Sequence, residues 1–186
     1  MGKCLGSAAQ VARTGAVYVA PLGTTLPTSA TGSLDAAFID CGYISEDGIT
    51  FTPNESVDAV RAWQNSARVQ TTRTELDYTF QFVLIEDKGT VVELYHRGEI
   101  TPVGSGQWKL VPDTQVPDVR AFVVDVVDGA KVKRHVVAQG EITERGEIVY
   151  SNSEPIGYNV TVTCYHDETL GAPFVTYSND PNWGYS

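Results

Sequence analysis

The chain has 186 residues, of which 42% are hydrophobic and 19% charged, so its length and composition fit one globular domain and exclude a disordered segment. Its formal net charge of -10 repels phosphates from most of its surface, which argues against a protein that grips DNA. Three scattered cysteines without a CxxC pair exclude a disulfide framework or a zinc ribbon.

The N-terminal part is predicted to be mostly arm and loop. Residues 1–14 are small and polar without a period, and residues 21–37 are rich in Thr, Ser, Pro and Gly. One short strand is predicted between them, at residues 16–20. We therefore expect an N-terminal arm at 1–14, and a long loop at 21–37 within a domain that spans residues 15–166.

From residue 38 the sequence has the pattern of β-structure. Runs of β-branched and aromatic residues separated by Gly, Asp and Asn predict strands at 38–44, 49–52, 57–64 and 68–86. In the last run every second residue from Leu76 to Leu84 is apolar. This period of two predicts a strand with one face in the core.

A short amphipathic helix is predicted next. Thr90 and Glu93 fit a capping box, Val91 and Leu94 share one face, and Gly98 is suited to end the helix.

The C-terminal half returns to strands. They are predicted at residues 107–111, 119–127, 131–138 and 158–166. The pair Asp128-Gly129 favours a tight hairpin turn, and residues 167–186 form a C-terminal tail. Together these elements predict an all-β fold with one short helix, either a β-sandwich or a partly closed barrel.

No catalytic or metal-binding pattern is present in the sequence. His96, His135 and His166 lack the spacing of metal ligands. The neighbouring carboxylates at 46–47 and 86–87 lie beside glycines, where acidic residues solvate turns. No phosphate-binding loop or nucleophile elbow is found. The sequence predicts a protein that is not an enzyme and has no metal and no cofactor.

The order of several segments along the chain resembles a known family. The segments are TGAVYVAP at 14–21, Gly23-Thr24, residues 38–49, Ala62-Trp63-Gln64, residues 71–86, the helix ending in Gly98, GYNVTVT at 157–163 and LGAP at 170–173. Each is weak alone, but their order and spacing resemble the major tail proteins, or tail tube proteins, of long-tailed bacteriophages that infect actinobacteria.

This resemblance implies that the β-sandwich or partly closed barrel is of the tail-tube type. Sandwich-like subunits form hexameric rings, the rings stack, and their inner strands line a channel that delivers DNA into the host. The implied partners are other copies of the chain and the tape-measure, tail-tip and tail-terminator proteins, with DNA in transit but not specifically bound. The implied location is the virion tail, after assembly in the host cytoplasm and without membrane insertion.

The polar face of the strand at residues 76–86 is the predicted channel lining. Its apolar face has to be buried, which leaves four candidates for channel-lining residues: Glu75, Asp77, Thr79 and Gln81. Uncharged or acidic side chains do not form the charge-assisted hydrogen bonds that would hold phosphates. In the competing interpretation this polar face packs under the helix, which is favoured by the apolar residues Val83 and Ile85 at the end of the strand.

Two other functions remain open at this stage. A carbohydrate-binding adhesin would use Trp63, Trp108 and Trp183 as its platform. A tail hub or a secretion-tube component would share the fold but not form long tubes.

Overall fold

The computed structural model describes residues 9–61, 63, 65, 68–113 and 116–184, and only the backbone of residues 60, 61, 68, 69 and 71–75. The elements are β1 (Thr14–Pro21), β2 (Ile39–Asp40), β3 (Ile44–Arg61), β4 (Arg68–Leu84), α1 (Gly89–His96), β5 (Gly98–Gly104), β6 (Gln107–Pro112), β7 (Val119–Asp128), β8 (Lys131–Arg145), β9 (Tyr158–Tyr165), β10 (Val175–Ser178) and a 3-10 helix (Pro181–Trp183). The predicted fold class, all-β with one short helix, is confirmed. No helix in these ranges is long and apolar enough to cross a membrane.

Eight strands form one antiparallel sheet. Their order is β2-β1-β7-β8-β9-β4-β3, with β10 added beside β8, and β5 pairs only with β6. The sheet curls until β1 approaches β3, where a Cβ at Gly15 would lie 3.8 Å from Cδ1 of Ile49. No hydrogen bonds join these strands in the sheet, so it is not closed into a barrel.

The gap between the two ends of the curled sheet is a cleft of about 650 Å³. Residues 12–16 form one wall and residues 42–49 much of the other, and Asp40, Glu86 and Lys88 complete it. We call this cleft the seam.

One face of the sheet encloses the main core. Its buried side chains come from β1, β4, β7, β8 and β9, together with Val91 and Leu94 of α1. Phe80, Phe82 and Leu84 are at most 2% exposed, as their alternation predicts. Leu76 is 40% exposed because it precedes Tyr78, the first residue of β4 that pairs with β9.

The opposite face is covered in part by the segment between β1 and β2. Phe38 packs there with Val123 and Val136. Arg134 forms a bidentate ion pair with Asp125, at 2.7 and 2.8 Å, and this pair is buried. The remaining Arg134 nitrogen donates to the carbonyls of Ser29 and Gly32, at 3.2 and 2.7 Å. The guanidinium therefore anchors the long segment to the sheet.

Strands β3 and β4 extend beyond the sheet as a two-stranded ribbon. Residues 68–77 of β4 lie past the pairing with β9, and they project roughly 30 Å at ~3.3 Å per residue. The strands predicted at 49–52 and 57–64 belong to one strand, β3. Pro53 does not interrupt it because an edge strand tolerates a residue without an N–H group.

The helix is present, but both of its predicted ends are wrong. Lys88 is the N-cap, and no side chain caps the helix; the Glu93 carboxylate instead accepts a hydrogen bond from the N–H of Ile100, at 2.9 Å. Arg97, with φ of 50°, adopts the left-handed cap conformation expected of Gly98. Gly98 has a different role, because a Cβ there would lie 2.6 Å from the carbonyl oxygen of Val111.

The hairpin between β7 and β8 is shifted by one residue from its prediction. Asp128 pairs with Lys131, so the turn residues are Gly129 and Ala130. Gly129 has φ of 61°, as the first turn residue of a type II′ hairpin requires.

The terminal segments meet beside this turn. Asp180 is buried and accepts hydrogen bonds from the side chain of Gln10 and the N–H of Asn182, while Lys131 lies 3.1 Å away. Strand β10, which the sequence did not predict, pairs with β8 directly before this junction.

We predict that Arg134→Ala lowers the free energy of unfolding by about 3–5 kcal/mol, because it leaves the buried Asp125 carboxylate without its partner. Arg120→Ala is the control, since its ion pair with Asp118 is partly exposed and should contribute at most about 1 kcal/mol. Urea denaturation of both variants checks this. Equal losses in the two variants would contradict the anchoring role of Arg134.

Candidate channel-lining face

The outward face of β3, β4, β9 and the second half of β8 is polar. Directly paired residues share a face, so the register defines its members. Its polar members are Thr50, Thr52, Asn54, Asp77, Thr79, Gln81, Asn159, Thr161, Thr163, Glu141 and Glu144, and Val83, the partner of Asn159, lies on the same face. We call this surface the polar face.

Side-chain hydrogen bonds run across the strands of the polar face. The Thr79 hydroxyl donates to the carbonyl of Thr52 at 3.3 Å, and the hydroxyls of Thr143 and Thr163 are 2.8 Å apart. The Gln81 amide donates to the Asn159 side-chain oxygen at 3.4 Å. These hydrogen bonds occupy side-chain donors of the polar face.

The charges on the polar face are acidic. Asp77 and Glu144 are exposed, and Glu141 binds Arg97 at 2.8 Å and the Tyr165 hydroxyl at 2.9 Å. Burial and this hydrogen bond raise the pKa of Tyr165. Arg97 comes from the end of α1; the described strand positions of the polar face contain no Lys or Arg.

Three of the four predicted lining residues lie on this face. Asp77 and Gln81 are exposed and Thr79 is half-buried. The side chain of Glu75 lies outside the described residues, although its backbone pairs with Ser56. Helix α1 packs on the apolar face instead, so the interpretation that placed the polar face under the helix is wrong.

The contribution of three neighbouring strands was missed by the sequence analysis. Asn159, Thr161 and Thr163 alternate with buried residues of β9, a signal that was visible in the sequence. The pairing of β9 with β4 could not be seen in the sequence, because the residue pattern of one strand does not identify its partner strand.

His135, Cys41 and Cys164 have structural surroundings in the interior of the protein. His135 lies among Phe51, Phe80 and Phe174, and its Nδ1 is 2.8 Å from the Thr176 hydroxyl. Burial, and then Lys133, lower its pKa to about 4. Burial raises the pKa of both the Cys41 and Cys164 thiols to about 12. Among the described residues no group of His, Cys, Asp and Glu is arranged to hold a metal ion.

The three tryptophans lie on separate elements. Trp63 is at the end of the β3–β4 ribbon and 97% exposed, Trp108 is on β6, and Trp183 lies under the Lys133 ammonium near the β7–β8 turn. A sugar platform needs adjacent rings, and no ring contact between these tryptophans occurs in the described part of the chain.

A β-rich subunit with open sheet edges and a broad polar face has the features of a self-assembling structural protein. The chain belongs to the phage tail tube protein family, whose model matches residues 6–185. It is therefore a tail component of a virion and a tube subunit. No curated protein matches it. A solved structure titled "Crystal structure of Hcp protein" is 12% identical, with 89% of this chain and 98% of that chain covered, at a TM-score of 0.32, which is too low to establish a common fold.

We predict that Asp77→Lys with Gln81→Lys changes the free energy of unfolding by no more than about 0.5 kcal/mol, because both side chains are on the surface. Phe80→Ala, on the other side of the same strand, should cost about 3–5 kcal/mol through the cavity it leaves. Thermal and urea unfolding measure both. If the double variant unfolds like Phe80→Ala, the polar face is part of a core.

We also predict a pH dependence from His135. The pKa of His135 is lower in the folded state than in the unfolded state. Between about pH 6.5 and pH 4 the unfolded chain therefore binds more protons than the folded protein. The free energy of unfolding falls as the pH is lowered through this range. His135→Phe should remove this part of the decrease. Urea denaturation at about pH 7 and about pH 4.5 compares the two proteins. Parallel pH profiles would show that His135 does not titrate in this range.

Proposed function

We propose that this protein is the major tail tube subunit of a long-tailed phage of actinobacteria, and that its hexameric rings stack into the channel through which DNA is delivered into the host. The observation that carries the proposal is the polar face, a four-stranded surface with acidic and hydroxyl side chains and without basic residues at its described strand positions.

The free edge of β3 supports assembly within a ring. It is an 18-residue edge strand with no partner on its outer side among the described residues. A soluble monomer is prone to aggregate through such an edge unless the edge is protected, whereas a ring subunit uses it for pairing. Pairing of β3 with the sheet of a neighbouring copy joins the polar faces of the subunits into one lining.

The chemistry of this lining suits DNA transport without DNA binding. Each basic contact to a phosphate adds salt-dependent affinity, and a channel lined with such contacts would hold the DNA. Glu75, Asp77, Thr79 and Gln81 would face the DNA without offering it a cation. Such a protein has no catalytic step to perform, and it works without an enzyme's active site, a metal or a cofactor.

The remaining parts of the chain are assigned to assembly. The exposed parts of the arm at 1–14, of the loop at 21–37 and of the tail at 167–186 would make contacts between copies around the domain at 15–166. Its proposed partners, beside other copies of the chain, are the tape-measure, tail-tip and tail-terminator proteins. Assembly takes place in the host cytoplasm.

Electron microscopy of the purified protein should show long uniform tubes, and a tail hub protein would not form them. In phage carrying Asp77→Lys with Gln81→Lys, tubes should still form, but DNA ejection should slow, most at low salt, where charge attraction is screened least. Asp77→Asn with Gln81→Asn is the control and should eject DNA like the wild type. Unchanged ejection in the lysine variant would remove these two positions from the lining.

A further inference from the structure

Arg97 is a basic residue that reaches the edge of the polar face. Among the ion pairs of the described residues, only that of Arg97 involves a carboxylate of this face, Glu141. Arg97 follows α1 in the left-handed conformation, which is strained for a residue with a side chain. The carbonyl of Ile142, which lies past the first residue of β7, accepts a hydrogen bond from the same Arg97 nitrogen that binds Glu141. The end of the helix therefore holds a guanidinium beside the polar face.

Both carboxylate oxygens of Glu141 have a partner. Oε1 accepts a hydrogen bond from Nη2 of Arg97 at 2.8 Å, and Oε2 accepts one from the Tyr165 hydroxyl at 2.9 Å. The Glu141 side chain is only 14% exposed. Glu144, on the same strand and face, is exposed and forms no ion pair with any described side chain. The charge of Glu141 is therefore directed at Arg97, whereas that of Glu144 is open to the space in front of the polar face.

The contact with Glu141 leaves part of the Arg97 guanidinium unused. Arg97 binds Glu141 through one nitrogen, and its Nε is buried without a hydrogen-bond partner among the described residues. The pair of Arg134 and Asp125 is different, because there two nitrogens bind two oxygens. Such a two-point contact is the stronger and the more rigid of the two arrangements. The Arg97 side chain is also 23% exposed, so its guanidinium is open to an anion at the polar face.

A second arginine adds positive charge at this place. Partial burial, and then the charge of Arg97, lower the pKa of Arg145, the last residue of β8. The two guanidiniums are thus close enough to repel each other, and two such charges attract an anion together. The charge of Glu141 acts on the pKa of Arg145 in the opposite direction. One carboxylate therefore offsets positive charge on both arginines.

We propose that Arg97 is a latent phosphate-binding group of the channel and that Glu141 masks it. This inference rests on the proposed function, because the phosphates are those of the DNA in transit. While Glu141 carries its charge, the polar face offers the DNA no uncompensated cation at this position. Without that charge, Arg97 would bind a phosphate through a charge-assisted hydrogen bond, and the contact would recur in every subunit along the tube.

Removal of the Glu141 charge tests the masking in intact phage. Glu141→Gln keeps the shape of the side chain, and its amide can still accept from Arg97 and donate to the Tyr165 hydroxyl. Tubes should therefore form in wild-type numbers, as counted by electron microscopy. DNA ejection, followed with a fluorescent DNA-binding dye, should slow by about tenfold or more at low salt, the effect of a single charge-assisted hydrogen bond. The difference from the wild type should shrink as salt is added, because salt screens the attraction.

Adding Arg97→Gln to Glu141→Gln gives the decisive variant. If Arg97 is the group that holds the DNA, the double variant should eject DNA at the wild-type rate at every salt concentration. An ion pair with a structural role alone would not give this recovery. The proposal is wrong if Glu141→Gln ejects DNA normally at low salt, or if ejection stays slow after Arg97 has also been replaced.

Glu144→Gln is the matched control, because it removes the same charge from an exposed position of the same strand and face. It should eject DNA at nearly the wild-type rate. Equal slowing in this variant would mean that the total charge of the polar face controls ejection, and it would refute the masking of Arg97. Urea denaturation shows whether any variant has lost stability. Absence of tubes from the wild-type protein would instead contradict the proposed function.

Discussion

A single sheet has to bury an apolar face, and the described residues include one short α-helix with which to cover it. Val91 and Leu94 are the only buried residues of α1, which is too few to cover strands β1, β4, β7 and β9. The sheet therefore covers itself by curling, and Phe80 and Phe82 of β4 enter the same core as Val17 of β1. The polar face, the seam and the free edge of β3 all follow from this curl.

The curled sheet does not close on itself, and this distinguishes the protein from a barrel. A closed barrel has no edges and so has no strand with which to pair another subunit. Here Gly15 and Ile49 meet across the gap without strand pairing, and β3 continues past the sheet as a ribbon. The curled sheet encloses a core of its own, while the unpaired edge of β3 can pair with another copy.

Patterns within one strand could be predicted from the sequence, whereas relations between strands could not. The alternation around Phe80 and Phe82 identified the buried face, and Asp77, Thr79 and Gln81 were placed on the opposite face for the same reason. The capping box failed because Glu93 has a tertiary partner, Ile100, that local spacing does not reveal. Strand β10 went unpredicted because its four residues, although of β-forming types, are too few to show an alternation, and its pairing with β8 is not visible in the sequence.

The order of the strands in the sheet has a further consequence for how the chain is made. Thr14 pairs with Val127, so β1 waits for more than half of the chain to be synthesised before its principal partner exists. Sheets dominated by such distant pairings fold slowly, because loop closure costs entropy before any contact compensates for it. The apolar residues of β1 are therefore expected to remain without their principal partner strand while the segment between β1 and β7 is being synthesised.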